Sequence, residues 1–319
     1  MKTTYKRTAA LLAALVMALS LAACGNNNVG ASSSNGENDA APYELQTEIS
    51  QEDWNGHRQY IELSTGITMA YVEMGDPEGD PVLLIHGSTD NSRSWSMAAP
   101  YFAEAGYHVY MPDLRGHGYT DKPETGMYTV GDYAADISAF MDAKGIEKAD
   151  IVGHSMGSAT AQAFLLNFPE KCDHVVLVSS SPVRARGVGT YEMAVTLSED
   201  EHPSDEFMDS WYVNPNPVDE EFLNYEKEES QRLDANAWVC IGAGSAVTDL
   251  TILYPYMDTS IPVLILYGSA DSFTNAEEQA ELKEAFSHAE YITYDGIGHN
   301  IQWEIPQQCA EDILAFIAA

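Results

Sequence analysis

The chain is 319 residues long and carries 15 Lys and Arg against 49 Asp and Glu, a formal charge of −34. A surface that acidic repels phosphate backbones and anionic headgroups, which argues against nucleic-acid binding and against lipase action at an interface. It fits solubility in an extracellular setting.

Lys2, Lys6 and Arg7 precede an apolar run over residues 9–23, the pattern of a secretory signal. The run is shorter than the roughly 20 residues a spanning helix needs. It ends in Leu21-Ala22-Ala23-Cys24-Gly25, which resembles the bacterial lipobox. The resemblance implies that residues 1–23 are removed, that Cys24 is lipidated, and that the domain is exported and anchored to the outer face of a bacterial cell membrane. An ordinary signal with an incidental Cys24 is the alternative. Residues 24–55 are expected to form a flexible tether, because the Gly-, Ser- and Asn-rich tract from Gly25 to Gly36 has almost nothing to bury. A ligand-binding lipoprotein would share this N-terminus, so it reports address and not activity.

About 270 residues remain, enough for one α/β domain with an insertion. Strand-like runs fall at 60–63, 68–74, 82–85, 108–111, 150–152, 175–178, 263–267 and 291–294. Helix-like stretches fall at 94–105, 130–144, 158–168, 276–286 and 306–317. This alternation implies a mostly parallel sheet covered on both faces. Ser64-Thr65-Gly66 joins the first two runs as a hairpin, so the sheet opens with an antiparallel pair. Residues 184–260 break the alternation. They carry helical patterns, 16 acidic and 4 basic residues, and scattered aromatics that include Trp211 and Tyr212. Cys172, Cys240 and Cys309 show neither Cys-x-x-Cys spacing nor His pairing, so they are expected as buried thiols with at most one bridge, and no metal site is implied.

The segment Gly153-His154-Ser155-Met156-Gly157 lies between a strand-like run and a helix-like one. Glycine-x-serine-x-glycine in that setting is the pattern of a nucleophile elbow. The serine occupies a strained turn that lifts its hydroxyl clear, and side chains at either glycine would clash with neighbouring elements. The Met156 N–H, first beyond the serine, is then placed at a helix N-terminus where a developing oxyanion is stabilised. Asp271 follows the run 263–267 through Gly268-Ser269-Ala270, and His299 follows the run 291–294 through Gly296-Ile297-Gly298. Serine, acid and histidine, each on a loop after a strand, suit nucleophilic catalysis. Ser155 attacks a carbonyl, His299 moves its proton, and Asp271 holds the histidine tautomer. Asp113 follows the wrong strand and Asp136 lies in a helical pattern, so neither competes for the acid. His154 fills the variable elbow position, while His117 in Arg115-Gly116-His117-Gly118 and His86 are expected to be structural. His57, His108, His174, His202 and His288 have no motif around them.

These motifs, together with Val82-Leu83-Leu84-Ile85-His86-Gly87-Ser88 and Pro112-Asp113-Leu114-Arg115-Gly116-His117-Gly118, are similar to those of the α/β-hydrolase superfamily, in its branch of small lidded hydrolases and esterases. The resemblance covers residues 60–317. It implies an eight-stranded, mostly parallel sheet with helices on both faces, a core over 56–183 and 261–319, and a helical cap over 184–260. It also implies that the Ser88 and Met156 amides form the oxyanion hole, with no cofactor or metal. The expected activity is that of a serine carboxylesterase working through an acyl-enzyme on small, soluble, neutral or cationic esters or lactones. Alternatives are a carbon–carbon bond hydrolase or peptidase of the same fold, or a non-catalytic ligand-binding lipoprotein. Serine at the elbow disfavours aspartate-nucleophile relatives, and His86-Gly87-Ser88-Thr89-Asp90 departs from the His-Gly-Gly-Pro-Gly of iminopeptidases.

Overall fold

The computed structural model describes residues 46–124, 128–185 and 202–319. The signal 1–23, Cys24 and the tether up to residue 45 lie outside the described residues. Eight strands form one sheet: β1 (Gln59–Glu62), β2 (Thr68–Gly75), β3 (Pro81–Ile85), β4 (His108–Pro112), β5 (Ala149–His154), β6 (Cys172–Val178), β7 (Val263–Gly268) and β8 (Glu290–Tyr294). Their order is β1-β2-β4-β3-β5-β6-β7-β8. The β1–β2 and β2–β4 pairs are antiparallel and every other pair is parallel. The first hairpin closes through Gly66 at φ 84°, a left-handed conformation that glycine adopts without a Cβ penalty.

Alternation along the strands builds two cores, because successive side chains point to opposite faces. Leu83, Ile85, Ile151, Leu177 and Ile265 pack on one face with Phe140 of α2 (Val130–Lys144), Phe164 of α3 (Met156–Asn167) and Leu282 of α7 (Ala276–Ala285). Val82, Leu84, Val152 and Val176 face the other way, against Phe102 of α1 (Ala99–Glu104) and, past the short α8 (Ile301–Glu304), Ile313 of α9 (Pro306–Ile317). Helix α2 starts at a capping box, Thr129 with Asp132, and stops at Gly145 in the left-handed region. The expected helix over 94–105 is broken: a 3-10 turn, Ser92–Trp95, precedes the short α1. Pro100 lacks the N–H that a continuous helix requires, and the Ser92 amide is drawn to Asp113 at 2.7 Å.

Residues 46–55, expected as tether, instead pack on the fold. The Gly75 N–H donates to the Gln46 carbonyl at 2.8 Å, Ile49 is buried, and Trp54 is fully buried with its indole N–H on Ser92 Oγ. Ile49 and Trp54 are the apolar residues that the Gly/Ser/Asn tract lacks, and their burial makes the ordered chain begin before residue 56. Cys172, Cys240 and Cys309 are buried free thiols.

Among the described residues the insertion between β6 and β7 is helical: α4 (Asp205–Trp211), α5 (Glu220–Gln231) and α6 (Ala235–Val247). Each starts on a side-chain oxygen that accepts a backbone N–H, from Ser204, Asp219 and Asp234. Buried charges join α5 to the core. Arg58 reaches Asp113 at 2.6 Å and Glu229 at 3.2 Å, and Arg93 reaches Glu229 at 2.6 Å. Burial alone would raise the Asp113 carboxyl, but Arg58 and the Tyr119 and Ser92 amides hold it below the usual carboxylate range.

Between β5 and α3, Ser155 has φ 52° and ψ −114°. A Cβ on Gly153 would strike the Gly157 carbonyl, and one on Gly157 would strike the carbonyls of Ile85 and His86. Both obstacles are backbone and cannot rotate away. We therefore expect Gly157→Ala to lower stability by at least about 2 kcal/mol in urea denaturation. Arg58→Ala should cost about 3–5 kcal/mol by the same measurement, because it strands Asp113 as a buried, unpaired charge.

Candidate active site

Three loops at the carboxyl ends of strands converge on Ser155. Its turn is fixed by its own N–H on the Val178 carbonyl of β6, at 3.0 Å, and by α3, whose Ser158 and Ala159 amides bond the Ser155 carbonyl. Asp271 stands three residues past β7 and His299 five past β8. The two loops are cross-linked: the Ser269 N–H donates to the Tyr294 carbonyl and the Ala270 N–H to the Ile297 carbonyl, each at 2.9 Å.

The side chains meet in one line. Ser155 Oγ lies 2.9 Å from His299 Nε2, and His299 Nδ1 lies 2.8 Å from Asp271 Oδ2. A carboxylate accepts, so Nδ1 carries the hydrogen and Nε2 presents a lone pair to the serine hydroxyl. Asp271 also accepts the Phe273 N–H at 2.7 Å and the Thr274 hydroxyl at 3.0 Å. Burial opposes its charge, but His299 and these donors outweigh it and hold the carboxyl below its ordinary value. The His299 carbonyl is gripped twice, by Ser179 Oγ at 2.5 Å and His154 Nε2 at 3.1 Å.

The other expected residues divide clearly. Ser88 and Met156 both line the cavity at Ser155. Met156 opens α3, so its N–H has no carbonyl one turn back. Among the described residues neither its amide nor that of Ser88 has a backbone acceptor. His86 is buried and structural: Nδ1–H donates to the Gly87 carbonyl at 2.7 Å while Nε2 accepts the Leu114 N–H at 2.9 Å. Burial pushes its imidazole down to about 4. Asp113 belongs to the Arg58 pair, and Asp136 is held by both arms of the Arg115 guanidinium at 2.5 and 2.6 Å.

The cavity measures about 370 Å³, and its apolar wall includes Val130, Ala159, Val183, Trp211 and Phe273. The Phe273 ring lies 4.7 Å from His299 and 5.8 Å from Trp211, so one aromatic seam joins the acid loop to the insertion. Among the described residues no cluster of three or more His, Cys, Asp or Glu is arranged to hold a metal ion. Phe273 and Asp90 were not legible as site residues. Phe273 sits in a polar loop with no pattern around it, and Asp90 reads as one of several polar residues between two elements. Asp90 nevertheless lines the cavity at 3 % exposure, and burial pushes its carboxyl up to about 7.

The described arrangement has the parts of acyl transfer: a hydroxyl against a basic nitrogen, a carboxylate behind it, and free amides beside it. Comparisons with known proteins bear on the fold. A family model described as an alpha/beta hydrolase fold matches residues 80–201, and one described as a TAP-like protein matches residues 232–317. The chain is 27 % identical to Lipase 3 of Moraxella sp. over 268 residues, which cover 80 % of this chain and 83 % of that one. It is 27 % identical to a non-heme chloroperoxidase of Streptomyces lividans over 286 residues, 81 % of this chain and 98 % of that one. The fold superposes on the crystal structure of a hydrolase from Pseudomonas aeruginosa with a TM-score of 0.75 at 21 % identity, covering 83 % of this chain and 99 % of that one. The chain has the α/β-hydrolase fold.

Proposed function

We propose that the chain is a serine hydrolase that cleaves small ester or lactone substrates through an acyl-enzyme on Ser155. The hydrogen-bonded line from Ser155 through His299 to Asp271, opening on a cavity, carries this reading. A volume of about 370 Å³ falls at the lower end of small-molecule sites. The mostly apolar wall suits a short acyl or alcohol group.

Ser155 Oγ attacks the substrate carbonyl carbon as His299 Nε2 takes the hydroxyl proton. The Asp271 carboxylate keeps Nδ1–H pointed inward and stabilises the imidazolium. The carbonyl oxygen, now an oxyanion, is met by the Ser88 and Met156 amides, worth roughly 3 kcal/mol for each donor. The carbon–oxygen bond to the alcohol then breaks, and the His299 proton goes to the leaving alkoxide. Water, deprotonated by the same nitrogen, attacks the acyl-enzyme, and collapse of the second intermediate releases the acid and restores Ser155. The strongly acidic chain favours neutral or cationic substrates over anionic ones.

Export and lipid attachment at Cys24 belong to the same proposal and rest on the N-terminal sequence, with contact to the membrane through that anchor alone. Expressed in a bacterial host, the wild-type chain should incorporate labelled fatty acid and Cys24→Ala should not; equal labelling of the two removes the anchor from the proposal. For the chemistry, a fluorophosphonate should label the folded wild type and leave Ser155→Ala unlabelled. Asp271→Asn should lower kcat for a short ester by about 10⁴ with the fold intact, since the histidine tautomer is then wrong. A folded wild type that neither takes the probe nor turns over an ester or lactone panel would point to a ligand-binding role instead.

A further inference from the structure

Asp90 lies two residues past Ser88, bonds two other parts of the site and faces a third. Its Oδ1 accepts the Tyr212 hydroxyl of the insertion at 2.9 Å, and its Oδ2 accepts Ser94 Oγ at 3.3 Å. The same Oδ2 is 4.0 Å from Nδ1 of His154. That nitrogen is buried and has no hydrogen-bond partner. Its ring partner, Nε2, faces the His299 carbonyl, which only accepts, so Nε2 carries the hydrogen and Nδ1 presents a lone pair towards Asp90. Gly87 keeps the space between them clear: a Cβ there would stand 2.8 Å from Asp90 Oδ2 and 3.0 Å from His154 Nδ1.

Resting on the Ser155–His299 reading above, we propose that Asp90 is a positioning residue for that site: bridging Tyr212 of the insertion and His154 of the elbow, its carboxyl holds the main chain at His299 and couples seating of the insertion to the aim of the base. The line runs from Tyr212 OH to Asp90, across the 4.0 Å gap from Asp90 Oδ2 to His154 Nδ1, and from His154 Nε2–H to the His299 carbonyl. The insertion grips the same loop a second time, where the Trp211 indole N–H donates to Thr89 Oγ1 at 3.1 Å. Thr89 has φ 68°, a left-handed conformation that needs such a hold.

A carboxylate oxygen against a nitrogen lone pair is repulsive. A carboxylic acid proton between them makes a hydrogen bond after an approach of about 1 Å. Burial favours that acid form, against the opposing hydrogen bonds of Tyr212 and Ser94 and the attraction of His299. The titratable groups facing Asp90 are His154 from the elbow, His299 from the loop after β8, and Tyr212 and Glu226 from the insertion. Burial lowers His154 to about 3, so its ring is neutral. Glu226 is fully buried with neither oxygen partnered, and burial together with Asp90 pushes it upward, so it supplies no balancing charge. Arg58 and Arg93 are held by Asp113 and Glu229. Because the folded Asp90 is raised to about 7, its proton stabilises the fold fully below the unfolded value of about 3.9, and that contribution is lost as pH rises through about 7. The grip on His299 loosens over the same range.

One arm of the test needs no turnover. Ring-nitrogen NMR signals of His154 in the full chain, assigned by their absence in His154→Gln, should shift with a midpoint near about pH 7. In Asp90→Asn, whose amide N–H donates to Nδ1 at any pH, the shift should vanish. The other arm is hydrolysis of p-nitrophenyl acetate, or the rate of fluorophosphonate labelling. Asp90→Ala should lower kcat about tenfold with KM within about twofold, whereas Asp90→Asn should recover kcat to within about threefold and lose the decline above about pH 7. A His154 signal flat from about pH 5 to 9 in the wild type overturns the proposal, as do equal kcat losses in the two Asp90 variants. A titrating His154 signal in a folded chain that takes no probe and hydrolyses no ester supports the bridge and overturns the hydrolase reading instead.

Discussion

At Ser155 the chain turns from strand to helix in a conformation that costs an L-residue about 1–3 kcal/mol, and everything around it exists in a form that tolerates that turn. Gly153 and Gly157 leave room for the close approach of α3 to β3 and β5. The N–H of Ser155 is pinned to β6, and its carbonyl takes the first bonds of α3. The strain is local and the compensation is spread across three strands. Its result is a hydroxyl standing at the carboxyl edge of the sheet, beside the unpaired amide that a helix necessarily presents at its first residue.

The histidine is positioned by a different kind of hold. Its ring is set by Asp271, but its main chain is set by Ser179 and His154, which come from the residue after β6 and from the elbow. His299 and Ser155 therefore share a support. The insertion reaches that support through side chains of its own. Glu229 is tied to Arg58 and Arg93, Tyr212 to Asp90, and Trp211 to Thr89. Buried ion pairs of this kind add little net stability over apolar packing, but they are costly to break and they fix where the insertion sits.

Much of the fold was legible because its signals are local. Inner strands of a parallel sheet are buried on both faces and read as continuous apolar runs, and all eight runs fall within three residues of the strand bounds. Helix α2 was legible to the residue, since Thr129 and Gly145 mark its ends. The helix over 94–105 was not, because its apolar spacing hid the proline and the pull of Asp113 on Ser92. Residues 46–55 went unread for a related reason: Ile49 and Trp54 have neighbours only in the folded chain, and composition alone assigned them to the tether.

By itself the sequence determined the order of elements, the elbow, and the loops on which Ser155, Asp271 and His299 lie, because glycine spacing and strand ends are features of neighbours in the chain. Only the tertiary structure decided that those three side chains form one hydrogen-bonded line, that Asp113 and Asp136 are occupied elsewhere, and that Asp90 is a buried carboxyl facing an unpaired histidine nitrogen. The reason is physical. Burial and partnership are properties of what surrounds a group, and the surroundings of Asp90 come from segments more than a hundred residues apart, as Tyr212 shows.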